Sequence, residues 1–396
     1  MVSCQSRSTR TLRRRNMVPI LDMHADVFMD LVRRYKARNA KKSGNATKAH
    51  NADVKTISSD NRVELEERHL NRIKSGGIAG AVLIDCRMAG ESALPEHLEQ
   101  FIATVKRELA AAGNNLIHIK SAADLARAVQ TNTFAAIVGY EGLSPTKGEL
   151  AWIPRLYDEA GLRVAVLTHN DDNDYGGGAL GARGGAQGSV NSGALGERGA
   201  LGTLGGQAAA TGQNAYLGTP ALGLTEKGRQ AVALMNELGI LIDMSHAGKA
   251  TRRDILAASA RPVMLSHTSA KAVYDNGRNL TDEEMRAIAD SGGIIGCMTS
   301  PAALAPLADR AHHSLERYMQ HLTHMIGAAG VDHVGLGLHF CEYLYTREEY
   351  PLIGGLEDAS RAQAIIEELL IAGYSRADVE KIAWRNFARV FGEAVG

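Results

Sequence analysis

From Ile20 onward the chain alternates short apolar runs with stretches of helical period. Eight runs read as buried strands: Ile20–Asp26, Gly77–Arg87, Phe134–Gly142, Val164–Asn170, Ile240–His246, Pro262–His267, Gly293–Ser300 and His333–Phe340. Helices are predicted between them. Glu96–Ala112 places Leu98, Phe101, Val105 and Leu109 on one stripe. Ser121 is placed to cap a helix through Val129, and Thr225 one through Leu238 that Gly239 ends. Thr281-Asp282-Glu283-Glu284 has the form of a capping box. Further helices are expected over Leu65–Lys74, Gly148–Ala160, Lys249–Ala258, Leu315–Ala329, Ala359–Ala372 and Ser375–Phe391. Two stretches break the rhythm. Arg34–Asp60 is polar and reads as an irregular excursion over one end of the fold. Residues 176–223 are dominated by Gly, Ala, Ser and Asn, either a lid or an insertion without a role.

Eight strands with intervening helices and no second nucleating core predict an α/β protein, a single (β/α)8 TIM barrel with insertions. It would span residues 17–396, with residues 1–16 a disordered or artefactual tail. The length, 396 residues with 45% hydrophobic, suffices for one large barrel core. Lys plus Arg and Asp plus Glu are 44 each, so no net field draws the chain to nucleic acid or an anionic membrane. Aromatics at 5% also disfavour a base-stacking surface. No run is long and apolar enough to cross a membrane, and no apolar stretch follows the arginines between Arg7 and Arg15, against a secretory signal. Cys4, Cys86, Cys297 and Cys341 have no CxxC spacing, which fits a reducing, cytoplasmic location.

The chemistry sits where the apolar runs stop. His24 and Asp26 are two apart on a strand, so both side chains face one point. Alone, such a pair is more often a satisfied polar contact than a ligand set. Glu141, His169, His246, His267 and His339 also fall at the C-terminal ends of predicted strands. In a (β/α)8 barrel those ends form the functional mouth. Seven such residues on one rim exceed what packing explains, and imidazoles with carboxylates are donors suited to zinc.

These residues lie in longer stretches: HADVFMD at His24, GYEG at Glu141, LTHN at His169, GLTEKGRQAVALMNELGILIDMSH ending at His246, and PVMLSHTSAKAVYDNGRN from Pro262 to Asn279. Together they resemble the renal (membrane) dipeptidase family, peptidase family M19, of the amidohydrolase superfamily, over nearly the whole chain. The resemblance implies two zinc ions. His24 and Asp26 would hold one, His246 and His267 the other, and Glu141 would bridge both. His169 matches a substrate-contacting histidine, and Arg278 the arginine that binds the substrate carboxylate. The implied activity is hydrolysis of a dipeptide by a hydroxide shared between the ions, and the implied assembly a homodimer. The donor chemistry agrees: two ions about 3.5–4 Å apart can polarise a carbonyl and activate water.

One stretch departs from the family pattern Gly-Ser-Asp-Phe-Asp-Gly. Here Gly337-Leu338-His339-Phe340-Cys341-Glu342 puts His339 at the first aspartate and Cys341 at the second. Three readings follow. His339 acts as the general base, its ordinary pKa of about 6.5 suiting that role. Or it is an added metal ligand, leaving the proton to Glu342 or solvent. Or the protein binds metal and a small carboxylate ligand with little hydrolysis. A divergent homologue acting on another small amide or lactam is a further alternative.

Other candidates have bland readings. His312 and His313 are expected at the surface, and His321 and His324, on a helix outside the barrel, at the surface or an interface; His333 is expected in a structural hydrogen bond. Asp171, Asp172, Asn173 and Asp174 line either the site or a solvated loop. Asp22 and Asp243 sit inside strands as candidates for orienting imidazoles. The glycine-rich runs hold no GxxxxGK[ST] phosphate loop.

Overall fold

The predicted apolar runs become strands in the order they occur. The computed structural model describes residues 17–42, 63–86, 95–179 and 222–396. The expected tail, residues 1–16, and most of the glycine-rich insertion, residues 180–221, lie outside the described residues. The strands are β1 (Ile20–Ala25), β2 (Ile78–Cys86), β3 (Leu116–Ile119), β4 (Phe134–Glu141), β5 (Leu162–Val166), β6 (Leu241–Asp243), β7 (Met264–Thr268), β8 (Ile294–Cys297) and β9 (Val334–Leu336). Their order around the sheet is β1-β2-β4-β5-β6-β7-β8-β9, with parallel ladders between neighbours. This is the nearly closed parallel barrel of the (β/α)8 fold. β3 is the extra strand. It pairs with Phe134–Ile137 at the start of β4, while β5 takes the end of β4 from Val138. Four residues between two helices carry too short a pattern to announce it.

The seams depend on aspartates. β6 and β7 pair at Asp243 and Met264. Beyond that pair, Asp243 Oδ1 accepts from the N–H groups of Ser245 and Ser266, both at 2.9 Å. Where β9 meets β1, Leu338 N–H donates to Asp22 Oδ1 at 2.8 Å and His339 N–H to His24 O at 3.1 Å. Burial pushes the Asp22 carboxyl up to about 7, although the N–H groups of His24 and Leu338 favour its charge. Asp22 and Asp243 therefore hold backbone rather than orient imidazole rings. A buried N–H left without an acceptor costs about 1–3 kcal/mol, so a side-chain acceptor matters where the ladder gives out.

Inside the barrel, Leu21, Met23, Val82, Ile84, Ile137, Val164, Leu241, Met264 and Ile294 fill the bore, and Phe387, Val390 and Phe391 close its floor. Those last three belong to the C-terminal helix Asn386–Val395. Outside, the strands' other faces pack against the helices. The caps fall as predicted: Ser121 accepts from Asp124 N–H, Thr225 from Gly228 N–H, and Thr281 with Glu284 forms the capping box.

One expectation is corrected. The helix α1 (Val27–Lys42) starts directly after the His24–Asp26 pair and runs through the first part of the stretch expected to be irregular. Val27, Phe28, Leu31 and Val32 bury its inner face. Arg, Lys and Ala are good helix formers, so a polar continuation costs the helix little. Residues 43–60 of that stretch lie outside the described residues.

Candidate metal centre

All seven predicted rim residues are at the C-terminal end of the barrel. His24 and Asp26 meet at 3.2 Å, Nε2 to Oδ1. Glu141 is the last residue of β4. The next residue, Gly142, has φ +80°, and a Cβ there would lie 2.8 Å from the Cβ of His169. Glycine thus lets the loop after β5 approach, and His169 Nε2 lies 3.6 Å from Glu141 Oε2. His246 and His267 face each other with their Nε2 atoms 2.9 Å apart. Glu141 Oε1 is 3.2 Å from the first and 3.8 Å from the second, yet it makes no hydrogen bond. His339 stacks on His267, with ring centroids 4.7 Å apart and planes 12° from parallel. Its Nε2 lies 3.3 Å from Asp26 Oδ2.

Two of these residues hold backbone that L-residues avoid. His246 has φ +62° and His339 φ +52°. Such conformations cost on the order of 1–3 kcal/mol and persist where the surroundings over-determine them. His246 O accepts from Ala179 N–H at 2.7 Å, and His339 O from the Tyr350 hydroxyl at 3.3 Å.

The rings are oriented from behind. Ser266 Oγ lies 3.2 Å from His24 Nδ1, 2.9 Å from His267 Nδ1 and 3.1 Å from Ser245 Oγ. A hydroxyl has one proton and two lone pairs. Donating to Ser245, it accepts from both Nδ1–H groups and so turns both Nε2 atoms toward the Glu141 side. The crowding around Ser266 needs glycine: a Cβ at Gly337 or Gly296 would lie 1.6 or 1.8 Å from Ser266 O. His246 Nδ1 lies 2.8 Å from Asn170 Oδ1 and 2.6 Å from Arg278 Nη1. The two contacts require opposite tautomers, and donation to Asn170 is the one that frees Nε2. Sequence reading passed over Ser245, Ser266 and Asn170. The available signal was the repeated Ser-His pair, Ser245-His246 and Ser266-His267, at the ends of two successive strands.

Charge completes the fit to a cation. Burial, then Arg278, hold His246 well below the usual imidazole range; burial, then His24, do the same for His267. Neutral imidazoles are the ligating form. Burial opposes charge on His24, but Glu141 and Asp26 outweigh it and hold it at about 9. The cluster therefore favours positive charge at its centre. Among the described residues, five sets of three donors lie with their ligand atoms within 4.8 Å of one another: His24, Asp26 and Glu141; Glu141, His246 and His267; His24, His267 and His339; Asp26, His339 and Cys341; and Cys86, Glu141 and His169. With a hydrogen-bond-free carboxylate oxygen facing two imidazole nitrogens, the residues present fit bound zinc.

Arg278 is brought to the same cluster, its Nη2 3.2 Å from His267 Nε2. Its loop is anchored by Thr268 Oγ1 donating to Arg278 O at 3.0 Å and by Asn279 Nδ2 donating to Ala303 O at 2.9 Å. His321 belongs to this scaffold and corrects the surface expectation: it is fully buried, accepts from Ala270 N–H at 3.1 Å and donates to Leu304 O at 3.1 Å. His313 is buried as well, whereas His312 is exposed as expected. His324 is half-buried and pairs with Asp282. His333 makes its structural hydrogen bond, to Gly293 O at 2.9 Å. Asp172 and Asn173 brace their own loop, accepting from Gly178 N–H and donating to Leu167 O. Cys341 is buried, and its thiol donates to Asp26 Oδ2 at 3.1 Å. Glu342 pairs with Arg72.

Fold and donor set together define a (β/α)8 barrel with a metal-binding mouth. The sequence profile of the membrane dipeptidase family, peptidase family M19, matches residues 9–200 and 206–395, and the chain belongs to that family. An uncharacterized dipeptidase of Schizosaccharomyces pombe is 28% identical over 261 residues, 66% of this chain and 53% of that one. Dipeptidase ataJ of Aspergillus terreus is 30% identical over 276 residues, 68% and 60% of the two chains. The chain thus spans little more than half the length of these curated relatives. Among solved structures, a metallopeptidase from Rhodobacter sphaeroides, liganded with a phosphinate mimic of L-Ala-D-Ala, superposes with a TM-score of 0.69 at 22% identity, covering 96% of this chain and 100% of that one. The probable dipeptidase PvdM of Pseudomonas aeruginosa has a TM-score of 0.69 at 20% identity, with 99% of each chain covered.

Proposed function

We propose that this protein is a zinc-dependent dipeptidase with two ions per chain. The carrying observation is the hydrogen-bond-free Glu141 Oε1 beside the facing Nε2 atoms of His246 and His267. Glu141 would bridge, His24 and Asp26 would hold one ion, and His246 and His267 would hold the other. When bound, such a zinc pair polarises the scissile carbonyl and activates water near neutral pH. Arg278 takes the substrate's terminal carboxylate, for which a planar guanidinium suits better than an ammonium. His169, a quarter exposed beside Glu141, contacts the substrate from the solvent side. His339 stands at the family's strand-end aspartate and belongs to the same centre. Family membership and the dipeptide mimic held by the Rhodobacter protein support a dipeptide substrate. The non-catalytic alternative is not the favoured one.

Among the described residues no helix is long and apolar enough to cross a membrane. Cys297 and Cys341 are buried thiols, in keeping with the proposed cytoplasmic location. A homodimer is proposed on family resemblance, and sedimentation would test it.

The deciding experiment pairs metal content per chain with ninhydrin-detected hydrolysis of L,L and L,D dipeptides. Two zinc ions and turnover that a chelator abolishes and zinc restores are expected. Two ions without turnover on any dipeptide would redirect the assignment to another small amide. A chain that binds no metal would end it.

A further inference from the structure

The two halves of the donor cluster differ in one residue, His339. Its backbone N–H is fixed to His24 O at 3.1 Å across the barrel seam, and its ring stacks on His267 at 4.7 Å. Its ring lies 5.0 Å from that of His24, centroid to centroid. Its ligand nitrogen is within 4.8 Å of those of both His24 and His267. Nε2 points at Asp26 Oδ2, while Nδ1 lies 3.5 Å from Cys341 Sγ. The thiol in turn donates to Asp26 Oδ2. Read as a proton chain, His339 Nδ1–H donates to sulfur and the thiol proton goes to Asp26, which leaves His339 Nε2 bare and aimed into the donor set.

Resting on the two-zinc reading above, we propose that His339 is a metal ligand and that the two ion positions are unequal: His24, Asp26, Glu141 and His339 close one with four protein donors, whereas His246, His267 and Glu141 leave the other with three. Four-donor zinc sites are closed and retentive, and three-donor sites keep a position for water or substrate. The open position is the one beside Arg278 and His169, where a substrate's carboxylate would be received. Cys341 acts from behind, holding Asp26. Exchanging a carboxylate for an imidazole also shifts the closed position toward zinc or cobalt and away from magnesium or manganese.

The test is graded chelation of the purified, zinc-loaded full chain, followed by metal counting. The natural protein should lose its ions in two steps, retaining one at a chelator concentration that removes the other. His339→Asn is the informative variant, because asparagine tolerates positive φ and keeps the backbone in place. It should weaken the retained ion by about 10–100-fold, the range seen when groups supporting a metal are removed, or by more. His246→Ala should spare the retained ion and lose the weaker one. Circular dichroism of the metal-free proteins checks that each variant folds. If His339→Asn leaves a two-step curve unchanged, or both ions leave the natural protein together, His339 is not a ligand of a closed position. A thiolate-to-cobalt absorption band in the cobalt-loaded protein would likewise overturn the four-donor set, by making Cys341 a ligand. A chain that takes up no zinc would overturn the two-zinc reading itself, an outcome distinct from these.

Discussion

The mouth of the barrel has a β6/β7 half and a β1/β9 half, and they are held by different forces. Behind His246 and His267 stand mainly hydroxyls and amides, Ser245, Ser266, Asn170 and Asn279, with the imidazole of His321 and the carboxylate of Asp243 bonded to backbone N–H groups. Behind His24, Asp26 and His339 stands a charged latch. Asp30, on α1, pairs with Arg68 and His69. Arg72 pairs with Glu342, and its guanidinium lies 4.7 Å from the ring centroid of Tyr343. The ring of His69 meets that of Tyr343 at 4.8 Å. This latch ties α1 and residues 65–75 to the loop that carries His339 and Cys341. Hydrogen bonds between neutral groups do not titrate as the pH falls, whereas ion pairs are lost once the carboxylate protonates. The half with the unusual histidine therefore rests on the more adjustable support.

Residues shared by the halves give the largest expected effects. Glu141→Gln removes one charge from both donor sets. Metal retention and kcat/KM should each fall by more than about 100-fold, beyond the range for a group that only orients a ligand. Equilibrium dialysis with zinc and a dipeptide assay measure the two. Ser266→Ala comes next, because one hydroxyl orients His24 in one half and His267 in the other. Zinc affinity should drop about 10–100-fold at both positions together. A drop at one position only would show that each half sets its own tautomer. Arg278→Lys probes the β6/β7 half alone. Loss of a bidentate contact should raise KM about tenfold, with kcat less affected and zinc content unchanged. A fall in zinc content instead would place Arg278 in the metal support rather than at the substrate.

What was legible in the sequence follows the same division. Strand parity exposed His24 and Asp26, and the ends of apolar runs exposed Glu141, His246 and His267, because a barrel converts strand ends into a rim. The barrel order was legible for the same reason. Ser266 was not, since a serine beside a histidine carries no periodic or charge signal, and its role exists only once β1 and β7 face each other. β3 is four residues long, too few for a period. α1 was hidden by polar composition, although arginine, lysine and alanine extend helices readily. His321 shares the buried stripe of its helix with Tyr318, Leu322 and Met325, so its polar type, not the helical period, hid its place in the core.

The smallest expected effect tests the contrast between the supports most directly. Burial works against the charge of Asp30, but the bonds from His69 and Arg68 outweigh it and lower its carboxyl from 3.8 to about 2. The native carboxyl thus keeps its charge to lower pH than the unfolded one. Between those values the unfolded chain binds more protons, so stability falls as the pH falls. The contribution, on the order of 2 kcal/mol, is complete above about pH 4 to 5 and gone below about 2. Thermal unfolding of the metal-free protein should then show Asp30→Asn less stable than the natural chain at pH 6, with the gap closing from pH 4 downward. Ser245→Ala, in the other half, should keep a constant gap over the same range, because a hydroxyl does not titrate there. If the Ser245 gap also closed, or the Asp30 gap did not, the two halves would not differ in kind. The latch would then be packing dressed in charge, and the loop bearing His339 would be no more adjustable than the rest of the rim.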